Sequence, residues 1–162
     1  MKKLIILLLF VIPLQLLAQN WSSEEKAVLE KIKLAWQSWE DAVNQKDLSI
    51  WLEKANPSDT WTAWFLPDNG LWTLEDSKRN FELLCKDIAR FYWINITPLK
   101  IKVIEDHAYT WFYVTSAIEK KDGSMINNED KRLEIYRKID GEWRWEAGMS
   151  DRYPKGGFID DN

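Results

Sequence analysis

Residues 131–150 read KRLEIYRKIDGEWRWEAGMS, two alternating stretches around Asp140-Gly141. Such a pattern predicts a β-hairpin that closes an antiparallel sheet. Two registers compete. A two-residue loop pairs Tyr136 with Trp145 and Ile135 with Glu146, which mixes apolar and charged side chains on both faces. A three-residue loop, Ile139 to Gly141 with Gly141 left-handed in a bulge, pairs Ile135 with Trp145 and Leu133 with Ala147. One face then reads Leu133, Ile135, Trp143, Trp145, Ala147 and Met149, and the other Glu134, Tyr136, Lys138, Glu142, Arg144 and Glu146. A one-residue slip moves a whole strand face from core to solvent, so hydrophobic burial favours the three-residue loop. Arg137 falls on the apolar face near the turn, where its stem can pack while its head reaches water.

Upstream, the chain keeps a strand-like pattern back to Ile94. ITPLKIKVI alternates, with Pro98 restricting where it pairs. Glu105-Asp106-His107 predicts a turn, AYTWFYVTSAIE a long strand over 108–119, and KKDGSMINNED a polar hairpin loop. Before the strands come helices. Ser22 or Ser23 followed by Glu24-Glu25 is a helix start. Val28, Ile32, Ala35, Trp36, Trp39, Ala42 and Val43 recur at helical spacing, predicting an amphipathic helix over 24–45. LSIWLEKA predicts a short helix over 48–55, stopped at Asn56-Pro57. A strand over 60–66, a turn at Pro67 to Gly70 and a third helix over 75–92, capped by Asp76-Ser77, follow. Helices first and antiparallel strands after them make an α+β domain, with the helices covering the apolar face of the sheet.

Lys2 and Lys3 followed by the apolar run Leu4 to Ile12 have the layout of a secretory signal peptide, with cleavage after Ala18 or Gln19. The run is too short for a bilayer-spanning helix, so a permanent anchor is the alternative. The sequence thus predicts a leader over 1–19, one domain over 20–153 and a loose tail over 154–162, in an exported, periplasmic or secreted protein with no membrane association after cleavage. Cys85 is the only cysteine, so no intrachain disulfide forms, and its apolar setting reads as a small buried hydrophobe. Lys and Arg number 22 against 26 Asp and Glu, with no basic cluster. This argues against a nucleic-acid partner, which needs cations on one face. The eleven tryptophans are the outlier. They are too many for one small core to hide, so some should line a cavity or an interface.

The order of elements resembles the NTF2-like (SnoaL-like, or DUF4440-like) superfamily. VIEDHAYTWFYV resembles the strand that follows an acidic turn in that superfamily, with Asp106 and Ala108 in the usual places. KRLEIYRKIDGEWRWEAGMS resembles its closing hairpin, with Trp143 two residues after the Gly and Ser150 at the end, and WEDAVNQKDLSIWL is similar to its first helix junction. The likeness covers residues 24–151. It implies a conical barrel: a strongly curved, mostly antiparallel sheet wrapped on a long N-terminal helix, with two further helices and a pocket between. A homodimer through the sheet is implied as well. Ketosteroid isomerases of this kind carry an Asp base on the strand after the second helix, where this chain has Thr62, Ala63 and Trp64. Cyclase-like and dehydratase-like members project His from the last strand, where the matching inward positions here are Ala147 and Met149.

No catalytic set, metal site or cofactor site is therefore assigned. His107 reads as a turn residue facing solvent. One His and one Cys argue against a zinc site. Of the carboxylates, Glu40 and Asp41 follow Trp39 on the first helix, with Glu40 beside its apolar stripe, Asp59 precedes the first strand, and Asp68 is a turn residue. Trp36 and Trp39 on the helix, with Phe112, Trp143, Trp145 and Met149 on the sheet, can wall a pocket. Trp61 and Trp64 point opposite ways, so one of them joins that wall, and Trp64 is the candidate. The expected ligand is small, apolar or suited to aromatic stacking. Tyr109, Trp111 and Tyr113 form a stripe on the opposite face of the long strand, the expected homodimer surface. Two alternatives stay open: an isomerase or lyase using a buried carboxylate, and an interaction module with a filled core.

Overall fold

The computed structural model describes residues 20–66 and 70–152. The expected leader over 1–19, the tail over 154–162 and most of the turn at 67–70 lie outside the described residues. Among the described residues, no helix is long and apolar enough to cross a membrane.

Helix α1 runs Ser23–Gln45. Ser22 and Glu25 close a capping box, each satisfying a backbone N–H that the first turn leaves open. Val28, Leu29, Ile32, Ala35, Ala42 and Val43 form its buried stripe. Lys46 ends it in the left-handed region, and Asp47 caps α2, Leu48–Ala55. Strands β1, Thr62–Leu66, and β2, Leu71–Thr73, precede α3, Leu74–Asp87. Then come β3, Ile88–Ile104, β4, His107–Lys120, β5, Met125–Ile139, and β6, Glu142–Arg152. The six-stranded sheet has the order β2-β1-β6-β5-β4-β3. Among its described pairings, β1 with β6 is parallel and the rest are antiparallel. The architecture is α+β, three helices with a mixed sheet packed on α1.

Two boundaries differ from the sequence reading. Helix α3 is capped by Thr73 with Asp76, not by Asp76-Ser77, and ends at Asp87 instead of 92. Ile88 and Phe91 are buried as expected, but from β3, where they pair with Lys120 and Ile118. Cross-strand pairing of a β-branched and an aromatic residue outweighs their fit to a helical stripe. The expected loop after β4 is mostly strand. Met125 to Asp130 continue the ladder with β4, so the chain reverses within Lys121 to Ser124.

The closing hairpin adopts the register that burial disfavoured. Ile139 pairs with Glu142 across a two-residue loop, with Asp140 and Gly141 at φ of 51° and 84°. A turn with both central residues left-handed matches the twist of the strands, and Asp-Gly suits it. Tyr136 then faces Trp145, but Ile135 faces Ala147. Glu146 is the extra residue of a β-bulge, and it shifts β6 by one. Trp143 and Trp145 point inward above the bulge, Gly148 and Ser150 below it. On β5 the inward row is Arg132, Glu134 and Tyr136, all buried. Leu133, Ile135, Ala147 and Met149 face the other way, contrary to the expected apolar row. Arg137 is also outward, 3.2 Å from Glu146.

Helix α1 is tied along the free edge of β3. Asn44 accepts from Phe91 N at 2.7 Å and donates to Phe91 O at 3.1 Å. Glu40 accepts from Ile94 N at 2.9 Å, and Lys46 donates to Ile88 O at 3.0 Å. An unpaired strand edge invites association, and these side chains cover it. Glu40 is thus half-buried and bonded to backbone. Burial raises its pKa, partly offset by the Ile94 N–H.

Candidate functional site

Trp36 and Trp39, three apart on α1, share one helix face. Trp51 of α2, Trp61 before β1, Trp72 of β2 and Trp145 of β6 converge with them on one cleft. Ser77 and Asn80 of α3 and Arg132 of β5 complete its lining. The rings meet edge to face. Trp39 and Trp51 lie 5.4 Å apart at 78°, Trp61 and Trp145 5.4 Å apart at 84°, and Trp51 and Trp145 6.0 Å apart at 81°. Each such pair contributes about 0.5–1.5 kcal/mol beyond its buried area. The indoles fill most of the space themselves, and the volume left is about 50 Å³. An apolar cavity that admits a benzene ring measures roughly 150 Å³. The cleft as it stands therefore fits a few waters or a small polar head, not a whole ring.

A polar group stands behind one wall. Arg132, Glu134 and Tyr136 recur every second residue and so share the inner face of β5. Arg132 Nη2 donates to Asp130 Oδ2 at 3.0 Å, and its guanidinium lies 4.5 Å from the centre of the Trp36 ring. Glu134 is fully buried, and its Oε2 accepts from the Tyr136 hydroxyl at 2.8 Å. Its Oε1 is buried with no hydrogen-bond partner among the described residues. The Trp36 indole N–H lies close enough to favour the charged carboxylate, but no hydrogen bond closes. Burial pushes the Glu134 pKa up to about 7, against the opposing pull of Arg132, Tyr136 and Trp36. Burial and the adjacent Glu134 carboxylate also hold the Tyr136 phenol well above its ordinary value.

Gly148 stands opposite Glu134. A Cβ there would sit 3.3 Å from the Trp145 indole and 3.6 Å from Glu134 Cγ. The small residue lets Trp145 fold over the bulge, where its Nε1 donates to Ala147 O at 3.0 Å.

Of the sequence candidates, Trp36, Trp39 and Trp145 meet at the cleft. Phe112 is buried in the core and is not among the cleft's lining residues. Trp143 is buried beside a separate groove shared with Lys31 and Glu142. Trp64 and Met149 face outward, 47% and 40% exposed. Trp61 is the inward partner of that Trp pair, and the bulge at Glu146 turns Met149 out. The inward positions of the last strand are Gly148 and Ser150, not Ala147 and Met149, and neither carries a proton-transferring ring.

Sequence reasoning did not single out Trp51, Trp72, Arg132, Glu134 or Tyr136. The two-residue loop, which pairs Tyr136 with Trp145, was the signal that would have found the β5 row. Cys85 is half-buried, and burial raises its thiol pKa. His107 opens β4 instead of sitting in the turn, with Nδ1 2.7 Å from Asp106 Oδ1. Among the described residues, no group of three His, Cys, Asp or Glu is placed to hold a metal ion.

On the outer face the register aligns Leu71, Trp64, Met149, Leu133 and Trp111 in one apolar row across five strands. Tyr109 and Tyr113 flank Trp111 on β4, and all three are half-buried.

No protein-family model matches the sequence, and no curated protein is similar to it in sequence. Solved structures do match. An NTF2-like protein from Cytophaga hutchinsonii is 15% identical, with TM-score 0.63 over 82% of this chain and 100% of that one. A ketosteroid isomerase-like protein from Erwinia carotovora atroseptica is 12% identical, with TM-score 0.64 over 82% and 98%. The association domain of C. elegans CaMKII is 18% identical, with TM-score 0.56 over 80% and 99%. The fold is that of the NTF2-like superfamily.

Proposed function

We propose that this NTF2-like domain binds a small molecule in the tryptophan-walled cleft. The convergence of indoles from both helical and strand segments on one cleft with a buried guanidinium carries this reading. Aromatic walls with a few placed polar groups are the usual make-up of ligand sites. The apolar part of the ligand stacks at the mouth, and a small head enters. The test is a titration of the full chain with indole and with short-chain acids, followed by the indole N–H resonances. Trp36, Trp61 and Trp145 should shift while the outward Trp64 and Trp111 stay still. If no cleft indole moves with any probe, the reading is wrong and the core is simply filled.

A second reading rests on Glu134. A buried carboxylate with a pKa of about 7 can take up and return a proton near neutrality, as an isomerase or lyase requires. The ketosteroid isomerase-like neighbour makes carbon-acid proton exchange the reaction to try. Solvent deuterium incorporation into a ketone, lost in Glu134→Gln, would support it; no incorporation above background would sink it.

The outer row is proposed to pair with a second copy of the chain through Tyr109, Trp111 and Tyr113. Lys131 and Asp151 are adjacent outward partners beside that row. A two-fold axis between them brings each onto the opposite charge of the other copy. Sedimentation equilibrium should give a dimer that Trp111→Glu dissociates; a wild-type monomer at high concentration would overturn the pairing. The leader is proposed to direct export, and the intact mass of the mature chain after expression in a bacterial host tests it: cleavage after Ala18 or Gln19 supports export, and a retained leader counts against it.

A further inference from the structure

Arg132 is the charged residue among the side chains that line the cleft, and it is a donor. Trp61, 3% exposed, also lines the cleft, and its buried indole N–H has no hydrogen-bond partner among the described residues. An unmet buried donor is costly, so an oxygen acceptor that enters the cleft within its reach removes a standing penalty. The 50 Å³ of space suits a head of about three heavy atoms. A carboxylate has that size and pairs two oxygens with a guanidinium.

Charge decides what else must happen. Arg132 already has Asp130 at 3.0 Å and Glu134 two residues along the same face. A further anion in a buried site that already holds Asp130 and Glu134 is unfavourable unless one carboxylate is neutralised. Glu134 is the group placed for it. Its Oε1 is open to a proton, because Tyr136 occupies Oε2. Arg132 and Tyr136 on its own strand are the charged and titratable groups that act on it. Strand β4 presents Thr110, β6 presents Gly148, and α1 presents Trp36. None of these titrates.

We propose that the cleft takes the carboxylate head of a small organic acid on Arg132, and that the anion-bound state holds a proton on Glu134, taken up on binding where Glu134 is ionised beforehand. The proton comes from solvent and forms an O–H bond at Oε1; no other bond forms or breaks. Trp36 is the shared wall, with its ring under Arg132 and its N–H toward Glu134, so occupancy of the cleft and protonation of Glu134 act on one side chain. This inference rests on the cleft being a ligand site.

The test uses the full chain with sodium propionate, propionamide and indole as probes, at pH 6 and pH 8. Propionate should move the Trp36 and Trp61 indole resonances and bind about tenfold more weakly at pH 8, where about a tenth of Glu134 carries a proton before binding. Propionamide, without the charge, should show no such dependence. Calorimetry in buffers of different ionisation heat should show close to one proton taken up at pH 8 and little at pH 6. Glu134→Gln should abolish both the uptake and the pH dependence. If that variant does not fold, the calorimetry on the wild-type chain still decides. Propionate affinity independent of pH, or no proton uptake at pH 8, overturns the coupling even while indole or propionamide binds. If no probe moves a cleft indole, the coupling fails together with the ligand site.

Discussion

Along residues 132–136 the two faces of β5 invert the usual distribution of residues, while β6 opposite keeps Trp143 and Trp145 inward. The inner face of β5 holds Arg132, Glu134 and Tyr136, and its outer face Leu133 and Ile135, with Met149 of β6 beside them. The inner groups are tolerated because they answer one another: Arg132 meets Asp130, Tyr136 meets Glu134, and Trp36 lies under the guanidinium. A buried polar group is most costly when alone, and a partner offsets part of that cost. The outer apolar groups are tolerated because half-exposed aliphatic side chains cost little in water. Pairing among the polar groups offsets part of the cost of this register, and the bulge at Glu146 keeps Trp143 and Trp145 inward within it.

The largest test of this contrast removes one member of the inner group. Arg132→Met removes the guanidinium that faces Asp130 and Glu134, and unfolding in urea should show a loss of about 3–5 kcal/mol. A loss below 1 kcal/mol would mean the inner charges are not mutually dependent.

The next effect is pH. Glu134 has a folded-state pKa of about 7, raised from the ordinary 4.5. The folded state therefore holds a proton that the unfolded state releases between these values. The stabilisation is fully present below pH 4.5 and is lost as pH rises through about 7. The loss amounts to at most about 3 kcal/mol. Glu134→Gln should flatten that segment of the stability curve, and an unchanged slope in the variant would assign the pH dependence to other groups. The smallest effect belongs to the outer face. Met149→Thr should change the stability of the monomer by less than about 0.5 kcal/mol, measured at a concentration too low for association. A larger loss would show the outer row to be part of the core.

Much of the frame was legible from local chemistry. The Ser22 cap, the stripe from Val28 to Val43 and the Asn56 stop define α1 and α2 within a residue or so. The alternation of AYTWFYVTSAIE defines β4, with Tyr109, Trp111 and Tyr113 on the face opposite Phe112. Trp36 and Trp39 share a wall with Trp145 because helical spacing and the position of Trp145 beside the turn decide their directions before any bulge intervenes. Trp64 and Met149 were misplaced for one reason each. Only packing against the helices picks Trp61 over Trp64, and only the bulge at Glu146 turns Met149 out.

What the sequence by itself determined is the order of helices and strands, the α+β class, the caps and the presence of a tryptophan wall. These rest on interactions within a few residues, so the local pattern carries them. What only the tertiary structure decided is which face of β5 is buried, and with it the polar group behind the cleft. That choice depends on whether Arg132, Glu134 and Tyr136 meet Asp130 and Trp36 in space. A pattern of apolar residues cannot score such pairing, because the free energy of a buried charge is set by its neighbours and not by its own side chain.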